Sequence, residues 1–216
     1  MENLAEIIER IHETFDARTK ARDQALIQAR HLTSLCAHAI RAIHRDEVED
    51  AYGKLAKARQ LVEGLRNDLV DEPTIYFAGY SQDAIKEYAE ASITVALILD
   101  KPLPEPEELG VEYETYLKGL AEVVGELRRR CLDLLRHGYS QEVERLLSCM
   151  DDIYTVLVTV DYPDAITLGL RRQTDLVRGI LERTRGDLTI SLREEQLKQS
   201  MDEFLEKFST HQGQEG

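Results

Sequence analysis

Glu87 and Glu90 stand three residues apart in Lys86-Glu87-Tyr88-Ala89-Glu90-Ala91, and beyond them the charge stops. From Tyr88 to Leu99, Glu90 is the one side chain charged at neutral pH; its neighbours are Ala, Ser, Thr, Ile, Val and Leu. Residues at this spacing share a face of a helix. A carboxylate on a helix that is mostly buried is costly unless a cation offsets it. Hard divalent ions such as Mg²⁺ and Mn²⁺ take oxygen ligands and are held by one or two carboxylates with waters. An ion so held activates water and neutralises charge on phosphate oxygens. The pair is therefore a candidate metal site with phosphodiester hydrolysis as its chemistry.

Spacing alone does not single it out, because Glu6 and Glu9 repeat it on an amphipathic stretch that reads as solvated. A metal site needs further acids from other helices, and two positions fit. Asp152 is the last charge before the uncharged run Ile153 to Val160, and Cys149 and Val156 flank it at helical spacing, so its face reads as largely apolar. Glu126 follows Gly125 inside a helical stretch, where a missing side chain lets a backbone or ligand come close. Arg129, three residues on, offers Glu126 a plain ion pair instead. Other chemistries lack their residues. The one Glu-x-x-His is Glu9/His12, where a di-iron bundle needs two. HExxH, P-loop and GxSxG motifs are absent. Cys36, Cys131 and Cys149 are odd in number, far apart and without a CxxC, as expected of reduced core cysteines in a cytoplasmic protein.

The net charge of −14 over 216 residues argues against a nucleic-acid partner when taken whole. Its distribution reverses that reading. Residues 17–45 carry six cations, Arg18, Lys20, Arg22, Arg30, Arg41 and Arg45, against the single acid Asp23, with His31, His38 and His44 besides. Arg18 and Arg22 are four apart, as are Arg41 and Arg45, so each pair shares a helix face. The stretch reads either as a rail for a phosphate backbone, which RNA recognition by shape makes sufficient, or as a balance for acidic helices elsewhere.

The elements that must position these groups are helical nearly throughout. Leu4, Ile7, Ile8, Ile11 and Phe15 open a helix expected over 3–44, about 60 Å long at the standard rise. Such a length suggests an elongated or oligomeric assembly. Asp46 is expected to cap a second helix, 47–70. Residues 73–79 are expected as a loop anchored by Tyr76 and Phe77, and Ser81 as the cap of the helix 82–99 that carries the glutamates. After a stiff Pro-rich connector at 101–106, helices are expected at 112–137 and 141–160. A sixth opens at Pro163 and ends at Gly186, and a seventh spans 191–208. The class is all-α, about seven antiparallel helices, in one domain over 1–208 with a polar, frayed tail at 209–216. No apolar run approaches the ~20 residues of a membrane span, and the acidic N-terminus is unlike a signal peptide.

Three motifs in order resemble the translin family, and its catalytic Trax branch more than translin itself. The most specific is Tyr116-Leu117-Lys118-Gly119-Leu120-Ala121-Glu122-Val123-Val124-Gly125-Glu126-Leu127-Arg128-Arg129-Arg130-Cys131. Glu87-Tyr88-Ala89-Glu90-Ala91 is the second, and Glu142-Val143 followed by Asp152 the third; Arg30 and His44-Arg45 match the first-helix pattern. The resemblance spans roughly residues 15–205. It implies an all-α superhelical bundle that assembles into hollow octamers and binds RNA or single-stranded DNA. It further implies Mg²⁺-dependent endoribonuclease activity, with Glu87, Glu90 and Asp152 as catalytic metal ligands and Glu126 as a nearby helper added from its position. The chain is similar to the shorter archaeal form, which would make a homo-octamer by itself. Arg18, Arg22, Arg30, Arg41 and Arg45 would then hold the strand on the inside of the shell. Two rival readings remain. One is a non-catalytic nucleic-acid-binding module like translin. The other is an all-α nucleotide pyrophosphatase, disfavoured because position 149, where a second acidic pair with Asp152 would begin, is Cys.

Overall fold

A computed structural model describes residues 3–212, with side chains to residue 206. Among them nine helices and no strand are found, as the all-α expectation requires. Two compact units divide the chain. One runs to Val123 and takes in Pro163–Leu170; the other comprises Val124–Tyr162 and the stretch from Arg171 onward.

The first unit is built on α1 (Leu4–His44), which packs against α2 (Val48–Asp68) and α4 (Gly79–Ile98). The buried residues of α1 are Ala25, Ala29, Leu32, Cys36, Ala39, Ile40, Ala42 and Ile43. Their alternating spacing of four and three makes one apolar seam, the pattern by which helices pack at a shallow angle. The small residues in it let the neighbouring helices come close. The same spacing runs back through Leu4, Ile8, Ile11 and Phe15, but these four are 41–60 % exposed. The turn after α1 is only 45–47, and Asp46 lies there at φ +59 rather than capping α2. A left-handed residue cannot also take the extended backbone of an N-cap.

Residues 73–76 form a short helix, α3, where a loop was expected. Tyr76 is the anchor, buried and donating to Glu112, whereas Phe77 is 57 % exposed. Ser81 lies inside the first turn of α4 and its hydroxyl donates to the Ile75 carbonyl, so it ties α4 to α3 instead of capping the helix. From Tyr88 to Ala96 every residue of α4 is buried, in keeping with its uncharged composition. The short α5 (Pro106–Leu109) is closed by a Glu105/Glu108 capping box and ends at Gly110 in the left-handed region. α6 (Tyr113–Leu135) follows, its first half in this unit.

The second unit holds the rest of α6, then α7 (Gln141–Thr159) and most of α9 (Leu170–Gln212). The buried face of α7 is Val143, Leu146, Met150, Ile153 and Leu157. Arg128 of α6 bonds Asp187 and Thr184 of α9, and Arg185 of α9 bonds Asp151 of α7. The expected sixth and seventh helices are one: α9 passes through Gly186 without a break. An isolated glycine costs a helix only about 1 kcal/mol, too little to end one with packed residues on both sides. The chain breaks earlier, after the short α8 (Asp164–Thr167), where Leu168 and Gly169 are both left-handed at φ +50 and +89. α9 reaches Gln212, and the last four residues of the expected tail lie outside the described ones.

A three-carboxylate cluster on α4 and α6

Glu87 and Glu90 do share a face of α4, and α6 brings a third acid to them. One oxygen from each of Glu87, Glu90 and Glu122 lies within 4.8 Å of the other two. Glu90 is 8 % exposed, and the side chains of Glu87 and Glu122 are 29 % and 35 % exposed. The cluster is thus buried at one corner and open to solvent at the other two.

The close pairing of α4 and α6 comes from a glycine. A Cβ at Gly119 would fall 3.0 Å from the Ala89 Cβ, 3.0 Å from the Glu90 nitrogen and 3.1 Å from the Lys86 carbonyl. A methyl there would crowd the α4 backbone, so α6 rests closely on the turn of α4 that carries the acid pair. Glu122, one turn along from Gly119, is delivered to that pair. At Gly125, the glycine expected to permit such an approach, a Cβ would meet nothing within 4 Å.

Lys86 closes the cluster electrostatically. Its ammonium lies 2.6 Å from Glu122 and 3.3 Å from Glu87, with its side chain only 14 % exposed. Burial works against the charged lysine, but its bonds to Glu122 and Glu87 outweigh that and hold its pKa above the ordinary value. From α1, Cys36 faces the same carboxylates. Burial pushes its thiol pKa up and the charges of Glu87 and Glu90 push it further, so it stays a neutral thiol. Tyr88, between the two acids in sequence, is buried with its phenol bonded to Ser92.

Two further expected acids belong to the second unit. Asp152 is on α7 in the second unit, on the exposed side of that helix. The apolar face predicted around it is displaced by one position, because Met150 and Ile153 define the buried face and Val156 is 52 % exposed. Glu126, also in the second unit, lies 3.5 Å from Arg129, the ion pair that its spacing allows.

Four of the five arginines are on α1, and Arg45 is the residue that follows its last turn. Arg22, Arg30, Arg41 and Arg45 are exposed, and Arg30, Arg41 and Arg45 fall with His38 on the face opposite Leu32, Cys36 and Ile43. Arg41 and Arg30 make no ion pair among the described residues, whereas Arg45 bonds Glu47 at 2.9 Å and Arg22 bonds Asp23 at 3.1 Å. Arg18 is half-buried and structural: it bonds Glu72 at 3.0 Å and Thr74 at 2.8 Å, fastening α1 to the segment around α3.

The donor set suits a hard divalent cation: three carboxylates, no thiolate and no imidazole, partly desolvated. One turn beyond Glu90 on α4, the Thr94 hydroxyl is fully buried and has no hydrogen-bond partner among the described residues. Sequence reading missed Glu122. Its signal was Gly119, three residues earlier within a helical stretch, and the role was given to Gly125 and Glu126 instead.

Fold and site together define an all-helical protein with a carboxylate cluster whose geometry could hold a metal ion. Known proteins narrow the class. The chain superposes on Archaeoglobus C3PO, solved alone and in a complex with duplex RNA. In each case the TM-score is 0.80 and the identity 31 %, over 87 % of this chain and 97 % of that one. Apo C3PO from Nematostella shares the fold at TM-score 0.78 and 20 % identity, over 85 % and 96 % of the two chains. An uncharacterized protein of Methanocaldococcus jannaschii is 33 % identical over 186 residues, covering 85 % of this chain and 82 % of its own length. No protein-family model matches the chain. The chain belongs to the translin family, that of C3PO.

Proposed function

We propose that the protein is an RNA-binding, divalent-metal-dependent endoribonuclease of the translin/Trax type. The observation that carries this reading is the convergence of Glu87, Glu90 and Glu122 on one point of a partly buried surface. The likeness to a C3PO solved with duplex RNA supports RNA as the partner. Glu87 and Glu90 are the catalytic carboxylates, with Glu122 beside them. Asp152 remains the third catalytic acid that the family pattern implies, and Glu126 serves as an ion-pair partner of Arg129. When bound, Mg²⁺ or Mn²⁺ supplies an activated water and offsets charge on the phosphate.

The protein's own side chains bind and orient. Arg30, Arg41 and Arg45 hold the strand by its phosphates with little reading of bases. Arg22 extends that rail, and Arg18 contributes by fixing α1 in place. The assembly is a homo-oligomer, an octamer by family likeness, and the exposed apolar seam from Leu4 to Phe15 is consistent with burial between copies. Single-stranded DNA is a further ligand of the same rail. Free cysteines fit a cytoplasmic protein, and among the described residues no helix is long and apolar enough to cross a membrane.

The test is to incubate the purified protein with a short single-stranded RNA and a nicked duplex, in Mg²⁺, in Mn²⁺ and in chelator, with its mass in solution measured alongside. Cleavage that requires the metal and stops in chelator is expected. Tight RNA binding with no cleavage in either metal would instead establish the second reading, a non-catalytic translin-like binder.

A further inference from the structure

We propose that Lys86 is the resident counter-ion of the carboxylate cluster, holding it together without metal and lowering its affinity for a divalent cation. The inference rests on the reading of Glu87, Glu90 and Glu122 as a metal site, and assigns that site its regulation.

Three carboxylates within 4.8 Å of one another, one of them buried, repel one another less when a positive charge lies among them. Lys86 supplies it. The ammonium spans the two helices, bonding Glu87 on its own helix and Glu122 on α6. Its stem is largely covered, so it is not a side chain swinging freely at the surface. It belongs to α4 itself, one residue before Glu87, so the charge is present whatever the assembly state. Without the lysine the site is one charge more negative and favours metal more strongly.

Two consequences follow. Metal-free protein with Lys86 keeps Glu122 bonded and the α4–α6 contact at Gly119 intact. An entering cation must draw Glu122 and Glu87 away from the ammonium, so part of its binding energy is spent against these bonds. Neutralising Lys86 removes that competition and at the same time leaves the empty cluster repelling itself.

The experiment is Mn²⁺ titration of the purified protein without RNA, read by the loss of the free-ion resonance, with thermal midpoints in chelator and in saturating Mn²⁺. K86Q is expected to bind Mn²⁺ about tenfold more tightly than wild type, because one positive charge fewer then faces the cation at close range. Its midpoint in chelator should fall below wild type, with the gap narrowing once Mn²⁺ is saturating. Equal or weaker Mn²⁺ binding by K86Q overturns the proposal. K86R keeps the charge and guards against a misfolded K86Q: affinity close to wild type is expected, and a tenfold gain in K86R overturns the proposal as well. Wild-type protein that takes up no Mn²⁺ at all would overturn the metal-site reading itself, a different result from unchanged affinity on loss of Lys86.

Discussion

Glu6/Glu9 and Glu87/Glu90 are the same motif in two settings. Both are Glu-x-x-Glu on long helices, both flanked by apolar residues. On α1 the pair is exposed, on a stretch whose apolar residues Leu4, Ile8, Ile11 and Phe15 are exposed among the described residues. On α4 the pair is sunk against α1 and α6, Glu90 is 8 % exposed, and a third acid and a lysine are within bonding range. Helical spacing thus aligns two carboxylates but does not make a site. What makes one is a second helix near enough to add an acid, together with enough burial that the charges must be met by a cation.

The sharpest way to break this comparison is to remove one acid from each pair. Glu90→Gln keeps the shape of the side chain and removes its charge from the buried corner. RNA cleavage in Mg²⁺ is expected to fall by more than about a hundredfold, beyond the range seen when only a ligand's supporting partner is lost, with the oligomer's mass unchanged. Glu9→Gln, with no such surroundings, is expected to leave both cleavage and stability within the scatter of ordinary surface changes, roughly half a kcal/mol. A Glu90→Gln protein that still cuts RNA at the wild-type rate removes the catalytic role from α4.

Glu122→Gln tests whether the third acid belongs to the site. Mn²⁺ affinity is expected to weaken about ten- to a hundredfold, and Lys86 loses its closer partner. Glu126→Gln is the comparison, since Glu126 pairs with Arg129 one turn along its own helix. If Glu126→Gln weakens Mn²⁺ as much as Glu122→Gln does, the choice between the two acids of α6 is wrong.

The helices themselves were largely legible. α1, α2, α4, α6 and α7 begin and end within about a turn of their predicted limits, because periodic apolar residues and the Pro and Gly that bound them are local signals. Gly186 misled for the opposite reason. A glycine ends a helix only when the next residues gain by leaving it, and α9 has packed residues on both sides of that position. The acid pair on α4 was visible because the charge ceases after it. Glu122 was not, although it stands within the motif that carries the family likeness. Its role depends on which face of α6 meets α4, and no periodicity within α6 states that. The apolar run after Asp152 was real, but its phase about α7 leaves Asp152 on the exposed side of that helix.

Gly119 and Gly125 extend the comparison to the element that delivers the third acid. Both are interior positions of one helix, so alanine carries the same intrinsic preference over glycine at each, up to about 1 kcal/mol. At Gly125 a new methyl meets nothing, and Gly125→Ala should raise the thermal midpoint slightly while Mn²⁺ affinity holds. At Gly119 the methyl would strike the Glu90 nitrogen and the Lys86 carbonyl, backbone atoms that cannot turn aside as a side chain does. The helices must part by a few tenths of an ångström, at a cost of roughly 1–3 kcal/mol as for other overpacked contacts. That separation carries Glu122 away from Glu87 and Glu90, so Gly119→Ala should lower the midpoint and weaken Mn²⁺ binding together. Loss of stability with unchanged Mn²⁺ affinity would mean that the α4–α6 approach packs the unit but does not set the site.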